Sequence, residues 1–371
     1  MLELPDYPWN QLAPYREQAA KHPGGVVDLS IGTPVDDTPQ LIQDALTDGA
    51  NSHGYPTTHG TVEVRQAIVD WFVRRRSVTG LSINDVMPTV GSKEMVAWLP
   101  LFLGIGAEDI VVRPKIAYPT YDIGAQLVGA TPMATDDLDE LSAEELSRVK
   151  LIWVNSPGNP TGKVTSVDQL QKIVERAREI GAVVASDECY AELGWEEFEG
   201  QVPSILDPQV NGGNLDNLLA LYSLSKQSNL AGYRAAFVAG APNLMPTLVN
   251  SRKHTGMIVP GPIQHAMVVA LNDDQHVAQQ RELYRARRDA LRPALENFGL
   301  RIEDSVAGLY LWCTQDRESF ETIGALAQLG IIAGPGVFYG TAGERHVRVA
   351  LTASDERIAA AVERLNSFAN R

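Results

Sequence analysis

The stretch KLIWVNSPGNPTGKVTSVDQLQKIVERAREIGAVVASDECY, residues 150–190, decides the fold because it contains two apolar runs joined by one helical segment. The runs at 150–155 and 182–187 are rich in β-branched residues, as buried strands are. Segment 166–181 begins with a serine and ends with a glycine, which are start and stop signals of a helix. A strand, a helix and a second strand in this order predict a parallel pair covered by helices.

The same alternation continues on both sides of this stretch. Apolar or β-branched runs predict further strands at 86–90, 109–113, 217–223 and 235–240, and a helical pattern spans 92–103. The sequence therefore predicts an α/β fold in which a mostly parallel sheet is sandwiched by helices.

The pattern changes near residue 274. A long charged helix (274–299) precedes two strand candidates (309–314 and 346–352) and a final helix (354–368). This order of elements indicates a second, smaller α+β domain. The predicted division places residues 36–280 in the large domain and residues 1–35 plus 281–371 in the small one.

The composition argues against several classes of function. The chain of 371 residues carries a formal net charge of −15, whereas proteins that bind nucleic acid or anionic membranes need a basic face. Its longest nearly apolar run, 95–107, is too short to cross a bilayer, and the N-terminus lacks a signal-peptide pattern. Cys189 and Cys313 are far apart, and the seven histidines show no metal-ligand spacing. We therefore expect a cytoplasmic protein with no metal, no nucleic-acid partner and no membrane partner.

Polar residues follow several of the predicted strands. The turn after the first strand of the opening stretch carries Asn159, and the second strand ends with Asp187, followed by Tyr190. The strand at 217–223 delivers Lys226. Because ligands bind beyond the carboxyl ends of parallel strands, these side chains are candidates for one site.

Pyridoxal phosphate is a cofactor that needs these parts. Lys226 would form an imine with its aldehyde, and Asp187 would keep its pyridine nitrogen protonated. Asn159 and Tyr190 would donate hydrogen bonds to its phenolate oxygen, and Tyr118 would stack on the ring. Its phosphate would bind at a helix start with nearby hydroxyls and an arginine, which are Gly91, Ser92, Lys93, Ser223, Ser225 and Arg234.

Each of these residues also has a purely structural interpretation. Lys226 would then be a solvated charge, Asn159 a turn residue, Asp187 a helix cap, Tyr118 a core residue and Arg234 half of a surface ion pair. Their occurrence together, in order and each at a strand end, favours the cofactor site.

Three motifs carry a resemblance to a known family. They are N-x-x-x-N-P-T-G at 155–162, D-E-x-Y at 187–190, and S-x-S-K followed by G-Y-R within 223–234. On these motifs the chain resembles, over essentially its whole length, the class I aminotransferases of pyridoxal-phosphate fold type I. The resemblance implies amino-group transfer in which Lys226 and the two residues at the ends of the D-E-x-Y motif, Asp187 and Tyr190, are catalytic.

The resemblance also implies substrate contacts and an assembly. Gly32 in SIGTPVD (30–36) and Arg348 in VRVALT (347–352) would bind the α-carboxylate of an amino-acid substrate, with Asn159 beside them. Tyr55 would reach the cofactor phosphate of a neighbouring subunit, which implies a homodimer with active sites at its interface.

Within this family the chain is most similar to the N-succinyldiaminopimelate aminotransferases, in stretches such as GSKEMVAWLPLFLGIG and GPGVFYG. This similarity implies transfer between L-glutamate and N-succinyl-2-amino-6-ketopimelate, in lysine and diaminopimelate biosynthesis. An aminotransferase of another amino acid, or a pyridoxal-phosphate-dependent C–S lyase, stays open. A transcription regulator would need a basic DNA-binding module ahead of the first strand of the sheet, and the residues there lack basic character. A non-catalytic protein would be expected to lack Lys226, so the presence of this lysine argues against that class.

Overall fold

The computed structural model of the protein describes residues 4–5 and 8–369, which form two β-sheets with helices packed on them. The strands are β1 (Val27–Leu29), β2 (Val86–Val90), β3 (Ile110–Arg113), β4 (Thr131–Ala134), β5 (Val149–Asn155), β6 (Val183–Asp187), β7 (Leu218–Ser223), β8 (Ala235–Gly240), β9 (Arg301–Glu303), β10 (Tyr310–Thr314), β11 (Ile331–Pro335) and β12 (His346–Ala350). The α-helices are α1 (Ala13–Ala19), α2 (Gln40–Asp48), α3 (Val62–Arg76), α4 (Ser92–Phe102), α5 (Thr120–Leu127), α6 (Ala143–Arg148), α7 (Val167–Ile180), α8 (Pro208–Asn211), α9 (Leu224–Gln227), α10 (Met245–Thr255), α11 (Gly261–Asn272), α12 (Gln275–Asn297), α13 (Ser319–Gln328) and α14 (Asp355–Ala369).

The larger sheet has seven strands in the order β2-β8-β7-β6-β5-β3-β4. Its neighbouring strands are parallel except at β8, which is antiparallel to β2 and β7. Alternate residues of β5 enter different apolar clusters, because Ile152 packs with α3, α7 and α11 whereas Leu151 and Trp153 pack with α4, α5 and α10. Helices thus cover both faces of the sheet, and the predicted α/β fold is confirmed.

Helix α7 shows how the local sequence builds the crossover between β5 and β6. The Ser166 hydroxyl accepts a hydrogen bond from the backbone N–H of Gln169, and the Gln169 side-chain oxygen accepts one from the backbone N–H of Ser166. Leu170 and Val174 are spaced four apart and turn the same face into the core. Gly181 ends the helix at φ 71°, a left-handed conformation that glycine adopts without a steric penalty.

The second sheet has five strands in the order β1-β11-β12-β10-β9. The pair β1–β11 is parallel and the other pairs are antiparallel. A separate apolar cluster joins this sheet to α1, α12, α13 and α14. Both ends of the described chain therefore contribute to one layered unit.

Several elements were not predicted from the sequence. The structure contains four strands that the sequence did not predict, which are β1, β4, β9 and β11. β8 is antiparallel to its two neighbours. β4 and β9 are short and not fully buried, so they carry no continuous apolar signal. The predicted division into domains at residues 36 and 280 stays a prediction. Within the described residues, no helix is long and apolar enough to cross a membrane.

Candidate active site

One edge of the larger sheet gathers the polar residues because of its strand register. Asn155 at the end of β5 lies opposite Asp187 at the end of β6. Ser223 at the end of β7 lies opposite Ala236 near the start of β8, and Val90 at the end of β2 lies opposite Ala235. Since β8 is antiparallel, its start lies at the same edge as the ends of its neighbours. A cavity of about 950 Å³ opens there, between the two sheets.

Lys226 reaches this cavity from α9, a single helical turn that follows β7 directly. Ser223 caps this turn by accepting a hydrogen bond from the backbone N–H of Ser225. The Lys226 ammonium donates to the backbone carbonyl of Gly32, so it bridges the two sheets. Burial lowers the pKa of the Lys226 amine, and the positive charges of Arg348 and Arg234 lower it further. A half-buried lysine with a lowered pKa is suited to act as a nucleophile.

Asp187 lies buried at the floor of the cavity with its carboxylate held on both oxygens. The Tyr121 hydroxyl donates to Oδ2 at 2.9 Å, and the Cys189 backbone N–H donates to Oδ1 at 3.2 Å. Burial raises the pKa of Asp187, although hydrogen bonds from Cys189 and Tyr121 act in the opposite direction. A cationic N–H placed beside this carboxylate would therefore be strongly favoured.

Arg348 projects from β12 toward the same cavity. Its Nη1 donates to Asn159 Oδ1 at 2.9 Å, and its Nη2 donates to the backbone carbonyl of Ser30 at 2.6 Å. Its Nε is buried and meets no hydrogen-bond acceptor among the described residues. A buried guanidinium with an unpaired N–H is suited to receive a carboxylate.

Hydroxyl groups and the positive charge of Arg234 also line the cavity. Ser223 and Ser225 hydrogen bond to each other at 2.8 Å, and Ser92 begins α4. Arg234 adopts φ 59°, a strained backbone conformation for an arginine, immediately before β8. A Cβ on Gly91 would overlap the Arg234 guanidinium, so only glycine lets the arginine lie across the start of α4. This arrangement is suited to bind a phosphate.

The structure brings together twelve of the residues singled out in the sequence as lining of one cavity. They are Gly32, Ser92, Lys93, Tyr118, Asn159, Asp187, Tyr190, Ser223, Ser225, Lys226, Arg234 and Arg348. Gly91 adjoins this set through Arg234. Tyr55 is fully exposed and does not line the cavity.

Sequence reasoning missed further residues of the site. Tyr121, which holds Asp187, follows Tyr118 by three residues and stacks on Trp153 with ring centroids 4.9 Å apart. Tyr310 and Trp9 line the cavity, and both rings lie beside the Arg348 guanidinium. Because these contacts cross from one element to another, spacing along the chain carries no signal for them.

Comparison with known proteins assigns the family. Residues 24–365 match the family described as aminotransferase class I and II. The chain belongs to this family. The protein is therefore an aminotransferase of class I, and members of that class use pyridoxal 5′-phosphate. The predicted family and cofactor are thereby confirmed.

Relatives with similar sequences have several assigned activities. The chain is 50% identical to "4-dedimethylamino-4-oxo-anhydrotetracycline transaminase OxyQ" of Streptomyces rimosus, over 98% of this chain and 100% of that one. It is also 50% identical to "Probable aminotransferase Rv1178" of Mycobacterium tuberculosis, over 98% of this chain and 85% of that one. An "LL-diaminopimelate aminotransferase" of Aquifex aeolicus is 34% identical, over 98% and 97%.

Solved structures agree with the fold. An aminotransferase of Neisseria meningitidis superimposes with a TM-score of 0.89 at 30% identity, over 99% of this chain and 98% of that one. A "probable N-succinyldiaminopimelate aminotransferase" of Thermus thermophilus superimposes with a TM-score of 0.86 at 25% identity, over 97% and 99%. Fold and family are thus shared with these proteins along nearly the whole chain.

The residues present fit pyridoxal phosphate. The cavity offers an amine with a lowered pKa (Lys226), a buried carboxylate (Asp187) and a phenol beside it (Tyr190). At one end, the Gly91 backbone leaves room for Arg234, and serine hydroxyls lie close by. The amine suits the aldehyde of the cofactor, the carboxylate its pyridine nitrogen and the phenol its phenolate oxygen. The arginine and the serine hydroxyls suit its phosphate.

Proposed function

We propose that the protein transfers an amino group from L-glutamate to N-succinyl-2-amino-6-ketopimelate, in lysine and diaminopimelate biosynthesis. The cofactor, when bound, supplies an electron-accepting ring and carries the amino group between the two substrates. Lys226 would hold the cofactor covalently and, once displaced by the amino donor, move the proton of the donor Cα. Asp187 would hold the proton on the ring nitrogen, and Tyr190 with Asn159 would donate to the ring oxygen.

The observation that carries the proposal is that three charged groups line one cavity. Lys226, Arg348 and Asp187 come from three different elements and all line it. Arg348 has an unpaired buried N–H for an α-carboxylate, and it bonds Asn159, which reaches toward the same space. An amino acid whose carboxylate binds Arg348 would thereby have its Cα held beside the proposed cofactor and the lysine.

The choice of substrate rests on the relatives and on one further positive charge. The probable N-succinyldiaminopimelate aminotransferase of Thermus thermophilus is similar in fold over nearly the whole chain, and the LL-diaminopimelate aminotransferase of Aquifex aeolicus is similar in sequence. The proposed keto substrate has two carboxylates besides the one assigned to Arg348. With Arg348 assigned to the α-carboxylate and with Arg234 and Lys226 assigned to the cofactor, Lys93 is the remaining cationic side chain among the described residues that line the cavity. The sequence assigned Lys93 to the helix start that binds the cofactor phosphate, and we propose that its side chain binds a distal carboxylate instead. Lys93 is exposed there, with its ammonium 5.9 Å from the centroid of the Tyr118 ring.

A comparison of two substrates tests this proposal. We expect kcat/KM for the succinylated keto acid to exceed that for the same compound without the succinyl group by at least about tenfold, since a hydrogen bond to a charged group is worth about 1.5–3 kcal/mol. Arg348→Lys should weaken both substrates alike and preserve the ratio, because the α-carboxylate is common to them. A wild-type ratio near one would contradict the substrate, and a ratio that collapses in Arg348→Lys would contradict the role given to Arg348.

A second candidate is amino transfer to a bulkier, more apolar ketone. Aromatic side chains line much of the cavity, namely Trp9, Tyr118, Tyr310, Phe320, Phe338 and Tyr339. The relative from Streptomyces rimosus, at 50% identity, is named as a transaminase of an anhydrotetracycline. Amino-group uptake by a polycyclic ketone and not by the succinylated keto acid would favour this candidate. Release of a thiol, a keto acid and ammonia from a sulfur-containing amino acid, without any amino acceptor, would instead indicate a C–S lyase.

We propose further that the enzyme acts in the cytoplasm as a homodimer with active sites at the subunit interface. The support is Tyr55, whose side chain is fully exposed in the single chain although its ring is largely apolar. In the dimer, Tyr55 of one subunit would bind the phosphate held by the other.

A further inference from the structure

Tyr310 on β10 was not singled out in the sequence, and it touches two residues of the proposed site. Its phenol is buried and lines the cavity. β10 and β12 are antiparallel, with Trp312 opposite Arg348 and Tyr310 opposite Ala350. Tyr310 is therefore the diagonal neighbour of Arg348 on the same face of the sheet, a distance that long side chains span.

The ring of Tyr310 supports the guanidinium of Arg348. The Arg348 Cζ lies 4.0 Å from the centroid of the Tyr310 ring, compared with 5.1 Å for Tyr339 and 5.6 Å for Trp9. Three aromatic rings thus surround the guanidinium, and Tyr310 is the nearest of them. A cation held against an aromatic face is stabilised electrostatically and cannot turn freely.

The hydroxyl of Tyr310 has a different contact. It lies 3.1 Å from the hydroxyl of Tyr190, and both groups are buried. Although burial raises the pKa of Tyr310, the nearby charges of Arg348 and Lys226 outweigh burial and lower it below the ordinary value. Burial and the neighbouring Tyr310 raise the pKa of Tyr190. When Tyr310 ionises, its oxygen accepts from the Tyr190 hydroxyl, whereas either hydroxyl can donate when both are neutral.

The backbone at Gly32 makes room for this hydroxyl. A Cβ at residue 32 would overlap the Tyr310 hydroxyl, so a glycine is required for the phenol to reach its position. The carbonyl of the same glycine accepts the hydrogen bond of Lys226. Four residues of the proposed site, Gly32, Tyr190, Lys226 and Arg348, therefore meet around one phenol.

We propose that Tyr310 is a positioning residue: its ring holds Arg348 for the substrate carboxylate, and its hydroxyl orients the hydroxyl of Tyr190. This inference rests on the proposed function. When Tyr190 donates to the ring oxygen of the cofactor, the Tyr310 hydroxyl can donate to the Tyr190 oxygen and strengthen that bond. The two roles belong to different atoms of one side chain, so different substitutions separate them.

Tyr310→Phe removes the hydroxyl and keeps the ring. In the enzyme loaded with cofactor, we expect the pH of the cofactor's colour change to rise by at least about 0.3 unit. The reason is that Tyr190 becomes a weaker donor without Tyr310 and stabilises the ionised ring oxygen less. KM for L-glutamate should stay within about threefold of wild type, because the ring under Arg348 is intact. Tyr310→Leu removes the ring as well, and KM should rise about tenfold.

A titration without cofactor tests the phenol pair independently. In the apoprotein, ultraviolet absorbance should show one tyrosine that ionises below the pH of the others, and this step should vanish in Tyr310→Phe. The matched control is Tyr222→Phe, which deletes a buried hydroxyl bonded to Gln227 at 2.7 Å in a core cluster with Trp71 and Phe237. The control should lower stability without moving the early ionisation step or the colour transition.

The outcomes separate this inference from the proposed function. A wild-type enzyme that transaminates, with Tyr310→Phe showing an unchanged colour transition and an unchanged early ionisation step, overturns the role of the hydroxyl. An unchanged KM in a folded Tyr310→Leu overturns the role of the ring. A wild type that takes up no cofactor overturns the proposed function instead, and the apoprotein titration then still decides the state of the phenol pair.

Discussion

At the scale of single residues, the proposed chemistry depends most on how Asp187 is held. The carboxylate is buried, and Tyr121 donates to one of its oxygens while the Cys189 backbone donates to the other. Tyr121 is itself fixed by its stack on Trp153. A carboxylate that cannot rotate and sees little water interacts strongly with a cationic N–H, because the local dielectric constant is low.

Asp187→Ala should therefore slow proton removal from the amino donor severely. We expect the barrier to rise by at least about 2–4 kcal/mol, the scale of one lost electrostatic partner in a dry site. Tyr121→Phe removes only a neutral donor to Asp187 and should cost about 0.5–1.5 kcal/mol. The measurement is the rate of the half-reaction with L-glutamate in both variants. Near-normal rates in Asp187→Ala would reduce the residue to a structural cap.

The sequence predicted the polar residues at strand ends but not the residues that orient them. Lys226, Asp187 and Asn159 follow apolar runs directly, so their position at one sheet edge follows from strand order. Tyr310 could not be found in this way, because its contact with Arg348 depends on the register between β10 and β12. A slip of one residue would turn it to the other face of the sheet.

At the scale of elements, helix α12 packs on the second sheet and also contacts α9, the turn that carries Lys226, and the residues just after it. Buried polar residues spaced three or four apart lie along one face of the helix. Gln280 accepts from the Asn229 side chain at 2.7 Å, and Tyr284 donates to the backbone carbonyl of Lys226 at 3.5 Å. His276 bonds the Ser228 hydroxyl at 2.8 Å. Side chains along two turns of α12 thus hold α9 and the residues that follow it.

Arg287 on the same helix is the buried member of an ion-pair group. It bonds Asp36, in the segment after β1, and Asp355, the first residue of α14, at 2.5 Å and 2.7 Å. Burial raises the pKa of Asp36, but hydrogen bonds from Arg287 and Gln280 outweigh burial and lower it below its ordinary value. Because Asp355 is largely exposed, the ion pair between Arg287 and Asp355 is weaker than the ion pair between Arg287 and Asp36.

Arg287→Leu should destabilise the protein by about 1–3 kcal/mol at neutral pH, because the partly buried Asp36 loses its cationic partner and keeps only the hydrogen bond from Gln280. Since the folded state lowers the pKa of Asp36, its contribution is present above the ordinary value of 3.8 and is lost as pH falls through the folded pKa. Urea unfolding at pH 7 and near pH 3 should therefore show a smaller difference between wild type and variant at the lower pH. Asp36→Asn combined with Arg287→Leu should cost less than the sum of the two single changes. Additive costs, or a difference that does not change with pH, would contradict the pairing.

Among elements, the strongly patterned ones were predicted within a residue or two. The helix expected at 274–299 is α12 (Gln275–Asn297), and the strand expected at 150–155 is β5 (Val149–Asn155). β11 is fully buried and lies between β1 and β12, but it was missed because its sequence IIAGP is short and ends in glycine and proline. Strand pairing outside the chain order, such as β1 with β11, cannot be predicted from local pattern.

At the scale of the whole molecule, the proposal depends on two subunits that complete each other's sites. Tyr55 is far from buried in the single chain and lies in the segment before α3. Its proposed partner is the phosphate end of the neighbouring cavity, where Arg234 and the serines lie. A single chain would then lack one ligand of its own cofactor.

Mixed dimers test this arrangement. We expect Tyr55→Ala to weaken cofactor binding and Lys226→Ala to abolish transamination in the respective pure dimers. In a hybrid of the two, one site would have both defects and the other would have neither. Co-expression should therefore give a population of sites with wild-type cofactor affinity and activity. If hybrids show no tighter cofactor binding than the pure Tyr55→Ala dimer, Tyr55 does not act across the interface.

Chemical trapping tests whether Lys226 is the lysine that carries the cofactor. The loaded protein is reduced with borohydride, digested, and the modified peptide is identified by mass spectrometry. Lys226 has the lowered pKa and lies beside Asp187 and Tyr190 in the cavity, whereas Lys93 is an exposed lysine in the same cavity. We expect the modification on Lys226 alone, with none in Lys226→Ala and wild-type labelling in Lys93→Ala. Labelling at Lys93, or persistent labelling and turnover in Lys226→Ala, would contradict it.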